Sequence, residues 1–141
     1  LGMACATIAS VFYFEYFEKN KIKRNIHCHS FGGPRVGNDK FVEFYTKNNE
    51  LMQNTWRVID YRDPVPNIPI SMRFLHIPCQ TLILGKNENI ELFHHYDDIC
   101  WFFRPFRLLF FTKFTNIVEP HDIDNYILKL KKITIESEKQ N

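Results

Sequence analysis

The first ten residues, Leu-Gly-Met-Ala-Cys-Ala-Thr-Ile-Ala-Ser, have the small-residue make-up of a helix leaving a nucleophile elbow. In a G-x-S-x-G turn the serine sits on a sharp strand-to-helix bend, and its neighbours must be small because strand and helix crowd together there. Leu1 and Gly2 fit the last two places of that pattern. This reading puts the attacking hydroxyl immediately before Leu1 and makes the start of the chain a truncation point. Ala4, Cys5, Ala6, Ala9 and Ser10 are then expected to give the helix a slim side that lies against a sheet. A rival nucleophile occurs in Cys28-His29-Ser30-Phe31-Gly32-Gly33, which looks like an elbow with Cys28 in place of its first glycine. An elbow must be followed at once by a helix, whose N-terminal N–H groups serve the oxyanion. Ser30 is followed instead by Gly-Gly-Pro-Arg-Val-Gly, which delays any helix to Asn38, so Ser30 is read as a strand-end hydroxyl bonded to local backbone.

Other chemistries find less support. His27, His29, His76, His94 and His95 lack compact ligand spacing, and the four cysteines (Cys5, Cys28, Cys79, Cys100) show no C-x-x-C pairing, so no metal is expected. The cysteines read as free, mostly buried thiols. A net charge of +2 spread over 18 basic and 16 acidic side chains makes no single-sign field, which argues against a nucleic-acid partner. From Trp101 to Phe114 aromatic residues alternate with Arg104, Arg107 and Lys113, the mixture found at lipid–water interfaces. Trp101, Phe110 and Phe111 are the interface candidates, against the plainer reading of a core element whose cations reach outward.

These groups need a scaffold. With 141 residues, 45% of them hydrophobic, the chain can build one core. Residues 1–134 are read as one domain and 135–141 as a polar tail. Apolar residues at helical spacing (Ile8, Val11, Phe12, Phe14 and Tyr16 or Phe17) predict a helix over 1–19. Arg24 to Phe31 reads as a strand with Gly32-Gly33-Pro34 as its exit. Asn38 caps a second helix, running to about Asn49 with Phe41, Val42, Phe44 and Tyr45 on its apolar stripe and Asp39 in its first turn. Thr55–Ile59 is a strand that ends in a proline-stiffened loop, Asp63-Pro64-Val65-Pro66-Asn67-Ile68-Pro69. Further strands are expected at 74–77, 81–84 and 90–93, the last two joined as a hairpin through Gly85-Lys86-Asn87. A helix is expected from Asp122 to about Lys132. Helix, strand, helix, strand in succession argues for an α/β fold with a mainly parallel sheet flanked by helices.

At Phe31-Gly32-Gly33-Pro34-Arg35-Val36-Gly37-Asn38 the chain resembles the F-G-x-P-R-V-G-N segment of the class 3 lipases, the fungal triacylglycerol lipase type. The elbow-type first helix, Arg57-Val58-Ile59 followed by Asp63-Pro64-Val65-Pro66-Asn67-Ile68-Pro69, and His121 ahead of Tyr126 and Leu128 extend the resemblance in the same order. The resemblance implies an incomplete α/β-hydrolase fold, roughly the C-terminal half of such a domain. It also implies hydrolysis of carboxylic esters, acylglycerols foremost, without cofactor, by a Ser, Asp, His triad in that chain order. Asp63 would be its acid and His121 its base, with His94 and His95 as the alternative base. Leu1 would supply an oxyanion N–H. A lipid ester substrate and contact with a membrane or lipid-droplet surface are the partners it implies. The competing expectation is a lipase-derived lipid-binding or interaction domain without catalysis. One departure is local: Pro78 stands after His76-Ile77 where the family's strand has glycine.

Overall fold

The computed structural model describes residues 1–69, 73–85, 90–93 and 118–139. Four strands, β1 (Cys28–Phe31), β2 (Thr55–Asp60), β3 (Gln80–Leu84) and β4 (Ile90–Phe93), form one sheet in that order. The first three run parallel and β4 is antiparallel to β3. Helix α1 (Gly2–Lys19) precedes the sheet, and α2 (Asp39–Lys47) and α3 (Asn49–Gln53) carry the chain from β1 to β2. Helices α4 (Val118–His121) and α5 (Ile123–Lys139) follow β4. Among its described residues the β2–β3 crossover contains only a 3-10 turn, Val65–Asn67, because its prolines break any longer element.

Side chains alternate across the sheet, so its two faces meet different helices. Tyr45, Leu51, Ile77 and Cys79 form one buried cluster, with Val11 and Phe14 of α1 and Phe41, Phe44 and Met52 of α2 and α3 packed against it. Val58 and Leu84 join Tyr126 of α5 in the other, with Phe31, Leu82, Leu130 and Ile133 around them. The first cluster has a polar centre. The hydroxyl of the fully buried Tyr45 lies 2.9 Å from both Ser10 Oγ and Thr55 Oγ1, so a single phenol joins α1, α2 and β2. Burial pushes that phenol up to about 12, which keeps it a neutral donor.

Several boundaries differ from expectation for physical reasons. The predicted cap holds: Asn38 accepts the Phe41 N–H at 3.0 Å. The strand expected from Arg24 begins at Cys28, because its partner strand begins at Thr55, opposite Cys28. The segment expected as a strand over 74–77 forms only a one-residue bridge between Leu75 and Gly37. Pro78 lacks the N–H a ladder needs, and β3 starts beyond it. Helix α1 turns the expected small side inward only in part, since Ala4 and Ala9 are partly buried along with the buried Ser10. Thr7 and Ser10 are buried with Met3 and Phe14 partly so, whereas Cys5 and Ala6 face solvent together with Ile8, Phe12 and Tyr16. Cys28 and Cys79 are buried free thiols, and Cys5 is an exposed one. The final helix runs on through Lys139, beyond the expected Lys132.

The rigid loop after β2 is fastened from two sides. Arg35 Nη1 donates to the carbonyls of Asn67 (2.5 Å) and Pro69 (2.7 Å), and the Arg35 N–H donates to Ile68 O. His76 lies 2.6 Å from Pro66 O through Nε2, which must carry the proton because a carbonyl can only accept. Burial holds the His76 imidazole well below its ordinary value, and the Arg57 and Arg35 guanidiniums act in the same direction, so the ring is neutral. The unfolded chain takes up this proton near pH 6.5 and the folded chain only well below, so folding stability is lost as pH falls beneath about 6.5. His76→Gln, whose amide can still donate to Pro66 O, is expected to flatten the fall of melting temperature between pH 7 and 5. Tyr45→Phe is expected to cost about 1–3 kcal/mol, read as a lower urea midpoint at unchanged slope.

Candidate active site

Asp63 stands three residues beyond β2, at the carboxyl end of the parallel strands, where α/β sheets collect functional groups. Its carboxylate is buried, and each oxygen is held. The Asp63 N–H donates to Asp60 O, so the chain turns back as it leaves the strand. Oδ1 accepts the Val65 N–H at 2.9 Å, an Asx turn that opens the proline loop. Oδ2 lies 2.9 Å from His121 Nδ1 and accepts the Tyr126 hydroxyl at 2.7 Å. A carboxylate bonded at Nδ1 fixes the imidazole tautomer and leaves Nε2 as the acceptor, the arrangement a general base needs.

His121 ends the short helix α4, and its side chain is partly exposed. The next element starts at once: the Asp122 carbonyl and carboxylate accept N–H groups of residues 124–126, which opens α5 one residue after the histidine. Helix α5 is docked by charge. Asp60, with no exposed surface, takes Lys129 Nζ at 2.7 Å and Arg62 Nη2 at 3.4 Å, and Lys129 lies over the Tyr61 ring at 5.1 Å.

The amino end of α1 meets this pair. Leu1, Gly2 and Met3 share one cleft, of about 510 Å3, with Phe31, Gly32, Pro34, His121, Ile123 and Tyr126. The first-turn N–H groups of a helix have no partner within it and point out of its amino end, here at the cleft. Leu1 and His121 therefore line one space, and the buried Asp63 reaches it only through its bond to His121. Ser30 does not: it is buried within β1 on the sheet face opposite Phe31, and no helix follows it before Asp39. His94, His95, Trp101, Phe110 and Phe111, with Cys100, lie outside the described residues. Among the described residues no group of three or more His, Cys, Asp or Glu side chains is placed to hold a metal ion, and no helix is long and apolar enough to cross a membrane.

Two participants were not singled out from the residue pattern as members of the site. Tyr126 reads as one more apolar position of the last helix, and only its phenol in an otherwise aliphatic stripe hints at a polar task. Gly32 reads as the exit of β1. It has φ +59°, and a Cβ there would stand 2.4 Å from Asp63 Oδ2, 2.9 Å from the Tyr126 hydroxyl and 3.0 Å from His121 Nδ1. Only glycine tolerates both the dihedral and the approach. Gly32→Ala is expected to lower stability by at least about 1–3 kcal/mol and to separate Asp63 from His121. Loss of the downfield Nδ1 proton resonance of the His–Asp pair would register that separation, and its survival would count against it.

Comparison with known proteins bears on the family and the fold. The family described as lipase (class 3) matches residues 1–72. Among solved structures, lipase II from Rhizopus niveus is similar with a TM-score of 0.58 at 23% identity, over 85% of this chain and 42% of that one. The Rhizomucor miehei triacylglyceride lipase gives 0.54 at 16% identity, over 77% and 40%. A triacylglycerol lipase whose catalytic centre is described as a serine protease triad gives 0.52 at 18%, over 79% and 41%. The chain thus spans about two fifths of the length of these lipases. No curated protein shows significant sequence similarity to it. Since the family match takes in more than half of its residues, the chain belongs to the class 3 lipases, and its mostly parallel sheet with flanking helices is part of an α/β-hydrolase fold.

Proposed function

We propose that this site is the acid–base part of a serine esterase acting on lipid esters, acylglycerols foremost. The observation that carries the reading is the 2.9 Å contact of Asp63 with His121, the histidine lining one cleft with the amino end of an 18-residue helix. In this reading the nucleophile is a serine on the residue before Leu1, at the elbow that α1 leaves. His121 Nε2 takes the serine proton as the hydroxyl attacks the ester carbonyl, and Asp63 stabilises the imidazolium that forms. The Leu1 N–H faces the developing oxyanion. The imidazolium returns its proton to the departing alcohol, and water releases the carboxylic acid from the acyl-enzyme by the same route. Leu1, Met3, Phe31, Pro34 and Ile123 give the cleft an apolar wall suited to an acyl chain. The family description and the lipases among the structural relatives support the ester class.

Hydrolysis of p-nitrophenyl butyrate tests the reading. With the preceding residue present, Asp63→Asn is expected to lower kcat by about 10³–10⁴-fold and His121→Ala to abolish turnover. The 141 residues alone should show none. Turnover by them that Ser30→Ala abolishes would overturn the assignment, and a residue other than serine before Leu1 would favour a lipid-binding domain without catalysis. Contact with a lipid surface belongs to the same proposal. Liposome co-sedimentation should fall when Phe110 and Phe111 are replaced by Ser, and unchanged binding would remove that element.

A further inference from the structure

The phenol of Tyr126 is in an unusual position for a side chain that packs the core. The residue is 1% exposed, and its ring stands edge-on to Phe31 at 6.1 Å and packs with Val58 and Leu84. Its hydroxyl lies between two groups near the end of β2. The Asp60 N–H can only donate, so the tyrosine oxygen accepts there, at 3.0 Å. The single phenolic proton is left for Asp63 Oδ2, at 2.7 Å. Burial and the two neighbouring carboxylates push this phenol far up, so the proton stays on the tyrosine. The polarity of the chain, from Asp60 N–H to tyrosine oxygen and from tyrosine proton to carboxylate, is thus fixed by chemistry rather than by choice of rotamer.

Oδ2 is the oxygen that also meets His121 Nδ1, whereas Oδ1 is held by the Val65 N–H. An Asx turn alone leaves a carboxylate free to pivot about χ2, a broad and soft torsion. A second donor on Oδ2 removes that freedom and aims the oxygen at the imidazole. The anchor of the tyrosine is itself stiffened, since Asp60 is ion-paired with Lys129 one helical turn along α5 from Tyr126.

Resting on the esterase reading above, we infer that Tyr126 is a positioning residue for the reaction: its hydroxyl holds Asp63 Oδ2 in the orientation that seats His121. It touches no reacting atom and acts through Asp63.

Tyr126→Phe keeps the ring and its packing and removes only the hydroxyl. In the protein that includes the residue before Leu1, kcat for p-nitrophenyl butyrate is expected to fall about tenfold, with KM within about twofold because no substrate contact is lost. Leu130→Ala, which thins the same apolar cluster without reaching Asp63, should lower the melting temperature and leave kcat unchanged. In the 141-residue chain, the downfield His121 Nδ1 proton should weaken or shift in Tyr126→Phe and persist in Leu130→Ala. The unsubstituted chain gives a reading that needs no variant: the Tyr126 hydroxyl proton and the His121 Nδ1 proton converge on one oxygen and should show a nuclear Overhauser contact. Absence of that contact, an unchanged kcat in Tyr126→Phe, or an equal loss in Leu130→Ala would overturn the inference. If Asp63→Asn and His121→Ala leave hydrolysis intact, the esterase reading falls first, and the inference with it.

Discussion

A charged carboxylate with 2% of its surface exposed survives in a protein only if hydrogen-bond donors replace the water it has lost, and the fold around Asp63 is organised to supply them. One donor is local, from the loop that Asp63 itself opens. The other two come from α4 and α5, far along the chain. Placing them requires α5 to lie across the ends of β1 and β2. That in turn requires an apolar seat for Tyr126 and an ionic latch between Asp60 and Lys129. The charge at residue 63 thus accounts for features that would otherwise look unrelated: a buried phenol, a buried ion pair and a left-handed glycine.

The two clusters divide the labour. The one facing α1, α2 and α3 fixes the direction of α1 through Tyr45, whose hydroxyl leaves no latitude for the helix to slide past β2. The one facing α5 fixes the carboxylate and the imidazole. The sheet between them delivers the ends of two neighbouring parallel strands to one place, so β1 contributes an absence of side chain at Gly32 and β2 contributes the acid. Arg35 and His76 act one layer further out, holding the carbonyls of the loop that follows Asp63.

How much of this was legible in the residues differs with the kind of signal. Local chemistry reads well: Asn38 caps its helix, Thr55–Asp60 is a strand, and the prolines after Asp63 stop anything regular. The motif resemblance led to Asp63 and His121, which the fold brings within hydrogen-bonding distance. Phase reads poorly where hydrophobicity is distributed all round. Helix α1 has Ile8, Phe12, Val11 and Phe14 on different sides, so its own sequence does not say which side meets the sheet, and of the small residues Ser10, Ala4 and Ala9 turn inward while Cys5 and Ala6 turn out. Strand length also depends on partners. The Leu75 segment has the composition of a strand but finds only Gly37 to pair with. Tyr126 and Gly32 were visible as residues but not as members of the site, because their roles exist only in relation to groups 31 to 94 positions away.

The separations along the chain have a kinetic meaning. The bonds that seat the carboxylate link partners 58, 63 and 66 residues apart. Contacts of such range close large loops and form late, after nearby strands and helices have already paired. During synthesis the sheet can begin to assemble on the ribosome while residue 63 still lacks its distant donors. A nascent chain of this kind leaves the residue 63 carboxylate short of two of its three donors until α5 has emerged and docked.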